Sequence, residues 1–280
     1  MFRPGLVVRK TQTMTQHTEI IRVLTASPVA LVRSMFKQEP VTPPCIVPRH
    51  SDVPTLRGAE VAALYYNLRV AGDFYEFLRV GPSRVLFGLL DLAGRREDTR
   101  EILVAAQSTF REFAPKLFTG EDLNEAEAIM TLCHEVNVTI LDAAGGVRSC
   151  AAFLGCYNED LGTVCYTSAG HTPALLHDGT GITQLEATGM PLGLFSHATH
   201  SASTCALIPG AVLLIVSRGI VEAEFKGQEF GLDGVRQTLQ GARLETAADL
   251  CQNVLGAAQE FMKVPPTHND VTTLALLRNR

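Results

Sequence analysis

Four short segments of this sequence place acidic and other polar residues at the ends of apolar runs. They are Gly72–Glu76, Leu90–Gly94, Ile215–Ala223 and His268–Thr272. Polar residues at several strand ends can converge on one edge of a sheet, and carboxylates gathered there can hold cations or transfer protons. Each segment alone also has an ordinary explanation, because aspartate at a strand end often caps a turn. The four segments together predict one functional site.

Other motifs that would carry a defined chemistry are missing from the sequence. It contains no GxSxG, GxxxxGKS/T, GxGxxG or HExxH pattern. The usual signatures of α/β-hydrolases, P-loop NTPases, dinucleotide-binding proteins and zincin metalloproteases are therefore excluded. His197 and His200 are three residues apart, but they lie in a stretch rich in Ser and Thr. We interpret that stretch as a surface loop rather than a metal site.

The polar segments must be positioned by strands and helices that alternate irregularly along the chain. Short apolar or alternating runs predict strands, and apolar residues at three- and four-residue steps predict helices. Strands are predicted over Glu60–Tyr66, Phe74–Val80, Val85–Asp91, Ser149–Asn158, Gly162–Ser168, Ala174–His177, Thr183–Glu186, Ala211–Ser217 and Val271–Leu277, and helices over Arg100–Phe118, Asp122–Ala143 and Thr246–Met262. Because most strands follow one another without a helix between them, the pattern favours an α+β sandwich over a doubly wound parallel sheet.

The composition limits what the whole molecule can be. Of the 280 residues, 46% are apolar and 19% are charged, and 29 acidic side chains against 24 basic ones give a net charge of −5. Such a chain can bury a large core, so it is not disordered as a whole. The mild acidic surplus argues against a general nucleic-acid binder, since phosphate backbones favour dense Lys and Arg.

Cysteine spacing and apolar runs predict the compartment. The seven cysteines are odd in number and include no CxxC pair, which favours free thiols in a reducing cytoplasm over disulfides or a zinc site. The longest dense apolar run, Ala211–Val216, is too short to span a bilayer. The N-terminus lacks the long apolar stretch of a secretory signal. We expect a cytoplasmic protein that does not enter a membrane.

A change in composition near residue 55 divides the chain. Residues 1–36 contain one weak helical pattern, and Lys37–Pro54 is rich in proline, which disfavours helix. We predict a short N-terminal leader and Pro-rich linker over residues 1–55. A compact domain is predicted over residues 56–280.

The order of the polar segments resembles the PPM-type (PP2C-like) protein phosphatases, in particular the SpoIIE/RsbU-like branch. That family shows, in order, GGDFYD, DVSGHG, NAGHxP, GxPLG, TDGVTEA and DDxT. This chain has AGDFYE from residue 71, DLAGRR from 91, SAGHTP from 168, GMPLG from 189, SRGIVEA from 217 and NDVT from 269. The resemblance covers about residues 56–280. It implies the family's fold, a ββ sandwich flanked by helices.

The resemblance also implies a reaction and its metal ions. In the family, two Mn²⁺ or Mg²⁺ ions held by carboxylates activate a water that attacks phosphoserine or phosphothreonine. By correspondence, Asp73 holds the first ion and Asp91 bridges both, which makes these two the catalytic residues. The Leu92 carbonyl is a neighbouring ligand. Glycines of the same motifs lie nearby: Gly72, Gly94 and Gly219.

Two positions depart from the family's metal ligands. Arg218 stands where the family has the Asp of TDG, and Asn269 stands where it has the first Asp of DDxT, while Asp270 matches the second. An arginine keeps its charge and has no acceptor, so it cannot ligate a cation. We therefore expect one bound cation or none. We also expect an ion pair of Arg218 with Asp91 or Asp73, roughly in the place of the second metal.

Three interpretations of the function are open at this point. The family implies a protein serine/threonine phosphatase with a remodelled and weakened site. The lost ligands favour a catalytically inactive pseudophosphatase, a binding module that recognises a partner without hydrolysis. The third interpretation is a phosphate-binding cluster of Arg218 with Arg95 and Arg96, which replace the family's His-Gly pair.

The resemblance also implies a type of partner. Members of this branch act on phosphorylated regulatory proteins, often anti-sigma-factor antagonists, within partner-switching circuits. We expect the leader to be too short for an ordinary sensor domain. Regulation would then come from a separate protein or from a homodimer.

Overall fold

The computed structural model describes residues 52–66, 72–94, 96–120, 123–243, 245–263 and 270–280. The leader and linker predicted over residues 1–55, apart from the last four residues, lie outside this part of the chain, and their boundary stays a prediction. Arg95 and Asn269 also lie outside it.

The first sheet contains the facing aspartates. Its strands are β2 (Gly72–Arg79), β3 (Arg84–Leu92), β4 (Cys150–Asn158), β5 (Thr163–Ala169) and β8 (Ser203–Ala206). They are antiparallel and follow the order β2-β3-β4-β5-β8. A turn at residues 81–83 joins β2 to β3 as a hairpin, and its register puts Asp73 directly opposite Asp91.

The second sheet is also antiparallel and has five strands. They are β1 (Ala59–Tyr66), β6 (Ala174–His177), β7 (Ile182–Leu185), β9 (Val212–Val216) and β12 (Val271–Arg278). Their order is β1-β12-β9-β6-β7, so the last strand of the chain lies between the first and the ninth. A separate short hairpin is formed by β10 (Glu224–Phe225) and β11 (Gln228–Glu229).

Helices cover the outer faces of both sheets. α1 (Arg96–Leu117) and α2 (Glu125–Ala144) pack on the first sheet, and α4 (Gly231–Gly241) and α5 (Ala247–Met262) pack on the second. Between them, α3 (Arg218–Val221) is a single turn directly after β9. Asn124 caps the start of α2 through the Glu127 amide, and Gly145 ends the helix with a left-handed φ of 61°.

Three apolar clusters hold these layers together. One lies between α1, α2 and the first sheet, one between the two sheets, and one between the second sheet, α4 and α5. The middle cluster includes stacked aromatic rings of the first sheet, Phe87, Phe153 and Tyr166. This helix–sheet–sheet–helix order confirms the predicted ββ sandwich flanked by helices. None of the described helices is long and apolar enough to cross a membrane.

The observed helices differ from the prediction mainly at their bounds and in one unpredicted helix. α1 begins at Arg96, four residues before the predicted Arg100, and it passes through Pro115 as predicted, because a proline so close to the helix end removes little backbone bonding. α4 was not predicted, since it contains Gly231, Gly234 and Gly241, and only Val235 and Leu239 are buried. Its burial against α5 and the second sheet outweighs a weak local helix preference. The short elements β8, α3, β10 and β11 were not predicted either.

Candidate functional site

Asp73 and Asp91 face each other on the hairpin of β2 and β3. Both residues are buried, with only 5% and 7% of their surface exposed. Burial, followed by the charge of Asp91, raises the pKa of Asp73 well above its usual range. Two such carboxylates are stable as anions only when positive charge or hydrogen-bond donors lie beside them.

The second sheet supplies hydrogen-bond donors from the start of β12 and the end of β9. The Thr272 hydroxyl donates to Asp73 Oδ2 at 2.7 Å. The Thr272 amide donates to Ser217 Oγ at 3.0 Å, and the Ser217 amide donates to the Thr272 carbonyl at 2.9 Å. Hydrogen bonds from Ser217 and Thr272 lower the pKa of Asp73, in opposition to burial. The resemblance assigned no role to Thr272, although it belongs to the last motif.

Arg218 supplies the positive charge. It is the first residue of α3 and follows the bonded Ser217. Its Nη2 donates to Asp91 Oδ1 at 3.1 Å, and its Nε lies 3.9 Å from Glu222 Oε1. The Arg218 side chain is 48% exposed, whereas that of Asp91 is 8% exposed. The guanidinium therefore neutralises a buried carboxylate while it still faces solvent, and of the two expected partners it takes Asp91.

Two glycines shape the backbone around the carboxylates. A Cβ added to Gly72 would lie 2.6 Å from the Leu92 carbonyl oxygen, so only glycine allows this close approach of β2 to β3. Gly94 has a φ of 136°, and a Cβ there would lie 3.2 Å from Arg148 Nη1. A second guanidinium, that of Arg148, therefore lies beside the loop that follows Asp91.

Sequence reasoning did not find Arg148. It lies between α2 and β4, outside all six motifs. Its position depends on the Ala93 amide, which donates to the Ser149 carbonyl at 2.9 Å, and on the Arg148 amide, which donates to the Gly193 carbonyl at 2.9 Å. Contacts between segments so distant in sequence leave no local signal.

His171 lies near Asp91 in a structural role. It is 3% exposed, and its Nδ1 donates to the Thr172 carbonyl at 2.9 Å, since a carbonyl can only accept. Burial lowers the pKa of His171, against the opposing effects of the Thr172 bond and the Asp91 charge. A neutral imidazole that shapes the turn agrees with these contacts.

Asp270 is near the site but is bonded to another element. It is 1% exposed, and the Tyr65 hydroxyl of β1 donates to its Oδ2 at 2.8 Å. After burial and the charge of Asp91, the charge of Asp270 also raises the pKa of Asp73. Gly219 is buried in the turn of α3. The structure thus brings Asp73, Asp91 and Arg218 together, whereas Asp270 is close to them but bonded to Tyr65 of β1.

The residues present do not fit a centre of two cations. Arg218 occupies one side of Asp91, and it has no acceptor with which to bind a metal. Within the described part of the chain, no group of three or more His, Cys, Asp or Glu side chains could hold a metal ion. Asp73, Asp91 and the Leu92 carbonyl supply oxygen atoms, which are the donors that a hard cation prefers. Whether they hold one cation or none stays a prediction.

The paired sheets, flanking helices and facing aspartates define the PPM-type (PP2C-like) phosphatase fold. The sequence profile of the SpoIIE family, Stage II sporulation protein E, matches residues 81–279. The chain belongs to this family.

One curated protein resembles this chain in sequence, and several solved structures resemble it in fold, all at low sequence identity. Protein IcfG from Synechocystis sp. (strain ATCC 27184 / PCC 6803 / Kazusa) is 23% identical over 251 residues, which are 81% of this chain and 39% of the relative. The RsbU and RsbW domains of Rv1364c from Mycobacterium tuberculosis superpose with a TM-score of 0.66 at 20% identity, covering 81% of this chain and 62% of that one. The PP2C phosphatase domain and regulatory-domain fragment of SpoIIE from Bacillus subtilis give 0.65 at 15% identity, covering 80% and 64%.

The chain therefore spans less than two thirds of the length of each of these three relatives. A further solved structure of this fold contains magnesium. The Mn²⁺ or Mg²⁺ that the resemblance implies stays a prediction for this chain.

Proposed function

We propose that this protein is a pseudophosphatase of the SpoIIE/RsbU-like branch, which binds a phosphorylated regulatory protein without hydrolysing it. The observation that carries the proposal is the 3.1 Å contact between Arg218 Nη2 and Asp91 Oδ1. The guanidinium takes the place of the second cation. A guanidinium neutralises Asp91 as a cation would, but it cannot coordinate a water and lower its pKa. The nucleophile of the family's reaction is therefore lost.

The same substitution keeps an affinity for phosphoryl groups. Arginine binds phosphate oxygens through charge-assisted, often paired hydrogen bonds. Half of the Arg218 side chain is exposed, and Arg148 lies beside the adjoining loop. These two guanidinium groups would hold a phosphoserine or phosphothreonine above the buried carboxylates. The cluster of Arg218 with Arg95 and Arg96 stays a prediction, because Arg95 and the side chain of Arg96 lie outside the described residues.

The partner we propose is a phosphorylated regulatory protein of a partner-switching circuit, such as an anti-sigma-factor antagonist. Family membership and the likeness to RsbU- and SpoIIE-containing structures support this class of partner. We propose the cytoplasm as its compartment, since the cysteines of the described residues are free thiols and most are buried. A homodimer stays a prediction.

A second candidate function is a weakened phosphatase that uses one cation. One specific observation favours it: Asp73 and Asp91 keep their facing register, and Gly72 keeps the Leu92 carbonyl close beside them. One Mn²⁺ or Mg²⁺ held there would supply a single Lewis acid for a bound phosphoryl group. Asp73 and Asp91 would be its ligands and thus the catalytic residues.

Binding and hydrolysis of one phosphoserine peptide, each measured with and without Mn²⁺, separate the two candidates. We expect the native protein to bind the peptide and release no phosphate. Arg218→Ala should bind at least about tenfold more weakly, since it loses charge-assisted hydrogen bonds. Arg218→Asp combined with Asn269→Asp should gain Mn²⁺-dependent phosphate release, because both family carboxylates are restored.

Arg111→Ala is the matched control for Arg218→Ala. Arg111 is also about half exposed, at 47%, and is also paired with a buried carboxylate, that of Glu76. It lies on α1 and should leave peptide binding unchanged. Mn²⁺-dependent phosphate release by the native protein, abolished by Asp91→Asn, would overturn the pseudophosphatase and establish the second candidate.

A further inference from the structure

The strands of the second sheet end at two opposite edges, and one of these edges lies far from Asp91 and Arg218. β9 runs from this edge towards the candidate site, and β12 runs back, so Val212 pairs with both Leu277 of β12 and His177 of β6. From Val212 to Val216 at the end of β9, the strand extends about 13 Å at the usual rise per residue. Whatever binds at this edge is therefore separate from the phosphoryl site proposed above.

A cavity of about 630 Å³ lies at this edge. Its walls come from the end of β6, the start of β9, the end of β12 and the connection between α4 and α5. Small-molecule sites in proteins usually have volumes of about 300–1,000 Å³. The cavity is therefore large enough for a small organic molecule, and its lining includes the apolar side chains of Ala242 and Leu277.

The charged lining of the cavity is mostly basic. Three arginines and one carboxylate side chain, that of Glu245, line it. Arg278 uses its Nη1 to bind the Leu207 carbonyl at 2.8 Å. Arg243 and Arg280 are exposed, and no carboxylate of the described residues lies within ion-pair distance of either. Their donors are available to a ligand.

His177 also lines the cavity. Its Nδ1 is buried without a hydrogen-bond partner among the described residues, so protein atoms cover it and it does not face the ligand. The polar contacts available to a ligand are therefore those of the arginines.

We propose that this cavity binds a small phosphate ester, with Arg243 and Arg280 holding the phosphate and the apolar wall contacting the organic group. Two exposed arginines that pair with no carboxylate side chain of the described residues match the charge of a phosphate monoester and the geometry of its oxygens. Among the side chains of the described lining residues, three arginines against one glutamate leave an excess of positive charge. The volume exceeds what inorganic phosphate alone would fill. This inference does not depend on the function proposed for the Asp91 site.

Calorimetric titration of the full chain with AMP tests the proposal, with adenosine and inorganic phosphate titrated in parallel. We expect saturable binding of AMP, weaker binding of phosphate and none of adenosine. Arg243→Gln combined with Arg280→Gln should weaken AMP binding at least about tenfold, since two charge-assisted contacts are lost. Both side chains are exposed, so the double variant should have the same melting temperature as the native protein.

Arg218→Gln is the control that separates this cavity from the candidate site. It should leave AMP binding at the cavity unchanged. If the native protein binds AMP at a second site and this variant loses it, that second site is the phosphoryl site proposed beside Asp91. The inference is overturned if the Arg243 and Arg280 variant binds AMP as the native protein does, or if Arg218→Gln alone abolishes binding. Adenosine binding as tightly as AMP, or no saturable AMP binding, also overturns it.

Discussion

At the scale of single residues, one guanidinium changes what the site can do. Asp73 and Asp91 are both buried and face each other, so the pair needs a positive charge nearby. Arg218 provides that charge at 3.1 Å from Asp91. A guanidinium can only donate hydrogen bonds from its nitrogen atoms. A metal ion, in contrast, coordinates a water molecule and polarises it. In the function that we propose, the site therefore recognises phosphate without activating water.

Gly72 is the residue that keeps the two aspartate strands close enough for this arrangement. In Gly72→Ala the new Cβ would meet the Leu92 carbonyl at 2.6 Å, so β2 and β3 must separate. We expect a loss of about 1–3 kcal/mol in the free energy of unfolding, as for other overpacked sites. Urea denaturation measures it.

Gly81→Ala is the matched control in the same hairpin, because a Cβ there would have no atom within 4 Å. It should change the free energy of unfolding by less than about 0.5 kcal/mol. Equal stability of the Gly72 and Gly81 variants would show that the contact with Leu92 is not tight.

At the scale of elements, a buried glutamate fastens α1 to β2. Glu76 is 2% exposed and lies three residues after Asp73 on the same strand. Gln107 Nε2 donates to its Oε2 at 2.8 Å, and Arg111 Nη2 donates to its Oε1 at 3.1 Å. The position of α1 is thereby set relative to the strand that holds the first aspartate.

We expect Glu76→Leu to destabilise the protein by about 2–3 kcal/mol, because the buried Gln107 amide loses its acceptor and Arg111 its partner. Amide hydrogen exchange in α1 should increase more than in α5, which packs on the other sheet. Arg111→Ala removes only the half-exposed donor and should be milder by at least about 1 kcal/mol. Uniform exchange changes across both helices would contradict a local fastening role.

Sequence patterns predicted strands that are buried on both faces and helices that bury one face. β9 and β12 were predicted as strands because their apolar runs are continuous, and α2 because its apolar face recurs at helical steps and ends at Gly145. The ion pair was expected because the resemblance puts Arg218 at a metal-ligand position, with Asp91 and Asp73 both open as partners. Its choice of Asp91 is a tertiary feature, in which Thr272 of β12 donates to Asp73 instead. Arg148 was missed because only tertiary contacts bring it to the site.

At the scale of the whole molecule, a charged cluster joins the segment before β1 to the hairpin edge of the first sheet. Arg57 and Arg79 both donate to Glu159, whose side chain is fully buried. The hydrogen bond from Arg79 is the largest of the effects that lower the pKa of Glu159 to about 2 from its usual 4.5. The cluster therefore links three distant parts of the chain through one ionised carboxylate.

This cluster predicts how stability depends on acid pH. The folded pKa of Glu159 is lowered, so its contribution is complete above about pH 4.5 and is lost as the pH falls through about 2. Urea midpoints of the native protein and Glu159→Gln should differ most near pH 5 and converge towards pH 2. A difference that is constant between pH 5 and pH 2 would contradict the ionised pairing.

Overall charge and local charge give different kinds of information about this molecule. The net charge of −5 excludes little beyond general binding of nucleic acids. The local charges are more informative. At one edge of the sandwich, one arginine pairs with a buried carboxylate, and at the opposite edge of the second sheet lies a mainly basic cavity.

We propose that Arg218 stands where the family holds its second cation, and anomalous scattering from crystals soaked in Mn²⁺ would locate the bound ions. We expect at most one manganese peak, bound by Asp73, Asp91 and the Leu92 carbonyl, with the contact of Arg218 to Asp91 intact. Two manganese peaks bridged by Asp91, with Arg218 turned away, would contradict it.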